Sequence, residues 1–201
     1  MPHHAFAVHP DEHLADRGLA DFAGDFAPLT GPILDLAGDP AWLSACAGTW
    51  RVMAAALADD RGALLASAET DLPGTWSPEG LAYRRRVLAA AESVGRMSSR
   101  ALDLVAAAEA AAIAVERARG RVIEEFLGAV AALRRASEPV TVPEGPPQPP
   151  DPERVAAVLA GPIARVRAIL RALDGELEPA RTLLATLTVG MREEAGRLTR
   201  R

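Results

Sequence analysis

The sequence contains no lysine and no asparagine, and it has a single glutamine (Gln148), a single tyrosine (Tyr83) and a single cysteine (Cys46). One cysteine permits neither an intramolecular disulfide nor a cysteine-based metal site. Cys46 stands among apolar neighbours and reads as a small core residue. Aromatic residues make up 4% of the chain while hydrophobic residues make up 49%. The apolar content is therefore mostly Ala, Leu and Val, which suits helices better than strands. No run approaches the roughly 20 apolar residues needed to span a bilayer. The N-terminus lacks the basic and apolar segments of a general secretory signal, so the expected location is cytoplasmic, with export only by another route. All 22 basic residues are arginine, the codon bias of a GC-rich genome. A net charge of −5 leaves no positive footprint for phosphates, and no nucleic-acid partner is expected.

Catalytic machinery is equally sparse. The four histidines, His3, His4, His9 and His13, all fall in the first 13 residues, and no glycine-rich phosphate loop follows. A reaction centre needs a convergent acid, base or nucleophile, and a metal site needs fixed geometry and supporting contacts. The sequence thus predicts a non-enzymatic protein without cofactor or metal.

What is present is helical periodicity. Residues 1–13 show none and read as a flexible tail. Leu19, Phe22 and Phe26, then Leu29, Ile33 and Leu36, suggest two short helices or one kinked helix, broken near Pro28 and Gly31-Pro32. Asp39-Pro40 is a helix start, the first a cap and the second suited to the opening turn. Leu43, Cys46, Trp50, Met53, Leu57, Leu64 and Ala68 then recur at spacings of three and four, which predicts one amphipathic helix to about Thr70.

The segment from Asp71 to Trp76 carries a Pro-Gly pair and reads as a bend. Ser77-Pro78-Glu79 restarts the helix with a cap, a proline at the first position and an acid at the positive end of the dipole. From Leu88 to Leu133 an apolar seam follows, including Val105, Ala108, Ala112, Val115, Val122 and Phe126. A helix from Pro78 to Arg135 is about 85 Å long at 1.5 Å per residue. The preceding helix is too short to cover that length, so the seam is expected to meet a partner helix, with the segments after Asp151 folding back over it as the rival cover.

Residues 138–151 contain six prolines and read as an extended linker. Asp151-Pro152-Glu153 starts a further helical region, 152–201, with a possible bend at Gly161-Pro162 and a stop at Asp174-Gly175. The expected fold is all-α: a long antiparallel hairpin over 14–137, coiled-coil-like, with short N-terminal helices and C-terminal helices beyond the linker.

This order, with Gly38-Asp39-Pro40 before an Ala-rich helix carrying Trp50, a turn with Trp76 and Gly80, and then a long Ala-rich helix, resembles the WXG100-like (ESX-type) proteins of type VII secretion in actinobacteria. The resemblance covers about 14–135. The family's turn reads Trp-x-Gly; here two further residues separate Trp76 from Gly80, and Tyr83 has Val87 where the family's export signal has an acid. The resemblance implies a secreted substrate or a carrier that pairs helix against helix, as a homodimer or heterodimer, with Trp76 and Gly80 in contact with a partner or the secretion machinery. On the residues alone, an intracellular coiled-coil scaffold and the delivery module of a toxin remain open readings.

Overall fold

The computed structural model describes residues 9–70, 76–137 and 152–199. The bend at 71–75 and the proline-rich segment at 138–151 lie outside the described residues, as do the first eight positions. The fold is all-α, with no strand among the described residues. Its elements are α1 (Pro10–Asp16), a 3-10 turn (Ala20–Phe22), α2 (Ala23–Asp35), α3 (Asp39–Glu69), α4 (Pro78–Ser137) and α5 (Pro152–Thr199).

Local chemistry explains most of the boundaries. Pro10 opens α1 and is buried, so the expected tail is helical from that residue on. Gly18 closes α1 with φ of 69°, and the amides of Gly18 and Leu19 donate to the carbonyls of Ala15 and Leu14 at 3.0 and 2.8 Å. This is a Schellman cap, which needs the left-handed conformation that glycine adopts without strain. At the start of α4 the Gly80 amide donates to Ser77 Oγ at 3.1 Å, the cap read from the sequence.

At two expected interruptions the helix is continuous. Pro28 and Pro32 both lie inside α2, which runs on to Asp35. Each proline removes one ladder hydrogen bond. Gly24 and Pro28, whose carbonyls lose those donors, lie at exposed positions open to solvent, and burial of Phe26, Leu29 and Ile33 on the other face holds the helix. Asp174-Gly175 likewise does not end a helix: α5 is continuous through it. A lone glycine costs only about 1 kcal/mol relative to alanine in a helix, and the flanking turns outweigh it.

The helices group into two compact units. The first combines the described residues of Met1–Asp39 with those of Ala114–Gly175, and the second combines those of Pro40–Ile113 with those of Glu176–Arg201. The first unit has a dense core in which Leu14, Phe26, Leu29, Val122, Phe126 and Leu133 are all fully buried. Phe126 is central there, meeting Phe26 edge-to-face at 5.8 Å and the His13 ring at 5.9 Å. On its surface Arg165 Nε donates to both carboxylate oxygens of Glu125 at 2.8 Å.

The second unit is built differently. In α3 the only buried residues are Ala47, Ala54 and Ala68. Small side chains allow close helix approach, and Ser98 Oγ of α4 donates to the backbone carbonyl of Ala54 at 2.9 Å. Arg51 pairs with Glu109, and Arg61 lies across Gly95. As the partners on α3 ascend from Arg51 through Ala54 to Arg61, those on α4 descend from Glu109 through Ser98 to Gly95, the order of antiparallel neighbours.

Candidate partner-binding surface

Exposed apolar residues are distributed unevenly. Among the described residues, every exposed large hydrophobic side chain except Leu34 belongs to the second unit. Trp76 is 73% exposed, Val52 72% and Trp42 66%; Leu102, Ile113 and Val189 each exceed half. Isolated exposed leucines are ordinary on protein surfaces, but tryptophans left in water are not. The amphipathic stripe expected on α3 is only partly packed: Cys46, Trp50, Leu57 and Leu64 are half-buried, and Met53 is exposed. The packed line of α3 runs instead through alanines, which leaves the larger side chains beside it.

The residues expected to contact a partner therefore separate into two groups. Trp76 stands at the foot of α4 in contact with solvent, and Gly80 is half-buried in the first turn. Val105, Ala108 and Ala112 lie in the second unit, with Val105 and Ala112 buried and Ala108 half-buried. Val115, Val122 and Phe126 lie in the first unit, where they are 3%, 0% and 0% exposed. These last three are enclosed within the first unit. Residues of α1 and α2 are grouped with them, Phe26 and His13 touch Phe126, and the N-terminal part of α5 belongs to the same unit. Within the first unit this stretch of seam is thus covered from within the chain, as in the rival reading.

Sequence reasoning overlooked a second line along α4. Leu88, Gly95, Leu102 and Glu109 follow one another at intervals of seven, and Glu92, Ser99, Ala106 and Ile113 form a second such series. Together they alternate by four and three along one face. Leu88, Leu102 and Ile113 are exposed. Beside Gly95 lies an open cleft of about 680 Å³ shared with α3, lined among others by Arg61, Glu92, Arg96, Ser98, Ser99 and Arg100. Arg96 Nη2 donates to Ser93 Oγ at 3.2 Å. Neither Arg61 nor Arg100 pairs with a carboxylate among the described residues, and Arg100 Nη1 is enclosed without an acceptor. The signal was available as heptad spacing, but glycine, serine and glutamate at half of its positions disguised it.

No group of three or more His, Cys, Asp or Glu side chains suited to a metal occurs among the described residues. No described helix is long and apolar enough to cross a membrane. No family model, no curated protein and no solved structure matches this chain.

Proposed function

We propose that this protein is a non-enzymatic helix-binding protein that associates with another helical protein through the second unit. The observation that carries the reading is the contrast between the two units: the first closes its apolar residues around Phe126, while the second leaves Trp42, Trp76, Leu102 and Ile113 in water. Burial of apolar area contributes roughly 25 cal/mol per Å², so a helix that covers any of these exposed side chains gains from it. Trp and Tyr are also the side chains that most often dominate protein interfaces.

Within this reading the protein resembles the WXG100-like substrates and carriers of type VII secretion, with Trp76 as the exposed element of the turn. Export by that route and an actinobacterial source belong to the same proposal. The scaffold reading is favoured by Val87 in place of an acid four residues after Tyr83, and by the two further residues between Trp76 and Gly80.

The test is co-expression of the tagged chain with helical proteins encoded beside its gene, followed by purification and light scattering. The expected result is a complex of fixed stoichiometry with a helical partner, lost on Trp76→Ala or Leu102→Asp with helix content unchanged. A chain that stays alone and monomeric at every concentration, with every such neighbour, would overturn the proposal.

A further inference from the structure

Resting on the helix-binding reading, we infer that α5 from Glu176 on is a displaceable strap. In the free chain it covers a face of α4 that a partner's amphipathic helix takes, one with the strap's apolar spacing and a side-chain oxygen where the strap has Gly190. Three observations lead there. The first is how unevenly α5 is held. In the first unit it buries Val155, Leu159, Val166, Ile169 and Leu173. Among the described residues from Glu176 to Gly190, in the second unit, Leu187 alone is buried; Leu177, Ala180 and Leu183 are half-buried, and Leu184 and Val189 are exposed. Glu176 and Arg181 have polar partners, but both residues are exposed, where such contacts are worth little. Segments that bury few apolar contacts are those that open locally, so this half of α5 opens first.

The second observation is what the strap covers. A Cβ at Gly190 would stand 3.1 Å from Arg100 Nη1, so the guanidinium lies against the bare backbone of α5. Arg100 belongs to a line on α4, Ser93, Met97, Arg100, Leu104, Ala107 and Ala111, that alternates by four and three and is buried or half-buried throughout. Gly95, Ser98 and Glu109, which meet α3, stand on the opposite side of the helix. The line is therefore a seat for a helix, and the strap is its cover.

The third is an unmet donor. Arg100 Nη1 is enclosed and has no acceptor. A charged donor left unsatisfied under cover is costly, so it works against the closed strap. Opening returns the group to water, and a helix with an oxygen in place of Gly190 satisfies it directly. The tip of a long arginine side chain yields the few tenths of an ångström that the added side chain requires. Exchange of straps between two copies of this chain restores the same unmet donor and gains nothing, which favours a different protein as the occupant.

The test uses the full chain. Native-state hydrogen exchange is expected to show the amides from Glu176 to Gly190 opening at least about tenfold more often than those from Val155 to Leu173, and Arg100→Met, which removes the unmet donor, is expected to slow them. Equal exchange in the two halves overturns the strap, as does an Arg100→Met chain whose strap exchanges no more slowly. Two labelled peptides then stand in for the partner helix: residues 176–201, and the same sequence with Gly190→Asn. Followed by fluorescence anisotropy, both are expected to bind the full-chain variant Leu187→Asp, whose own strap is loosened, at least about tenfold more tightly than the unaltered chain, with the Asn peptide the tighter of the two. Exchange around Val122 and Phe126 checks that the variant stays folded, and Leu183→Asp serves if it does not. If loosening the strap strengthens neither peptide, the covered face is no seat for a partner and the inference is wrong; if the Asn peptide is no tighter, the partner chemistry is wrong. In either case the stoichiometric complex sought by co-expression decides helix binding separately.

Discussion

Phe126 and Trp76 sit on the same helix and have opposite fates. Phe126 is fully enclosed in the first unit, and Trp76 is 73% exposed in the second. Truncating a buried aromatic removes transfer energy and leaves a cavity, so Phe126→Ala is expected to cost about 3–5 kcal/mol. Trp76→Ala removes little packing and is expected to change stability by no more than about 0.5 kcal/mol, as an exposed substitution does. Urea unfolding of both variants checks the pair; comparable losses would mean that Trp76 is packed. The Schellman cap supplies a further residue-scale test. An alanine at Gly18 must adopt positive φ, so Gly18→Ala is expected to destabilise the first unit by roughly 1–2 kcal/mol. An unchanged denaturation midpoint would count against that cap. The sequence Arg17-Gly18-Leu19 carried this signal, with a glycine beyond the last helical residue and an apolar residue after it. The reading of positions 1–13 as a tail hid it, because seven residues of helix are too few to show a period.

At the scale of the element, the helix starts at Pro78 and Pro152 were legible because proline at the first turn removes no ladder bond. The two continuations were not. Reading Gly175 as a stop weighs one residue's propensity, whereas the length of α5 is decided by turns on both sides of it. That account makes a prediction: an added Cβ at Gly175 meets nothing within 4 Å, and φ there is not positive. Gly175→Ala is therefore expected to stabilise the chain by about 0.5–1 kcal/mol, measured by thermal or chemical denaturation. A loss of stability would show that the chain bends there after all. The candidate surface was less legible than the helices. Periodicity marks which residues share a face, but not which of two faces a neighbouring helix takes. On α3 that choice falls to the alanines, and the bulkier Trp42 and Met53 are left outside.

For the whole molecule, the difference in burial between the units implies a difference in local stability. The opening free energy of a segment follows the apolar contacts that opening breaks, and segments with few of them exchange their amides first. α3 fully buries no side chain larger than alanine, whereas the part of α4 from Val115 to Leu133 buries Val122, Phe126 and Leu133 completely. Native-state hydrogen exchange on the isolated full chain should therefore show α3 opening at lower free energy than the C-terminal half of α4, with the lag largest near Val122 and Phe126. Hydrogen bonds inside α3 do not alter this ranking, since both helices have a complete ladder and differ in what covers it. Nor does the Arg51–Glu109 pair, because both side chains are more than half exposed and such pairs are worth about 0–1 kcal/mol. Binding of a helical partner to the second unit adds the missing apolar cover, so protection of α3 should rise in the complex while that of the Phe126 region changes little. Equal protection of the two regions in the free chain would mean that α3 is held by contacts its burial does not reveal, and the argument for an under-covered second unit would fail.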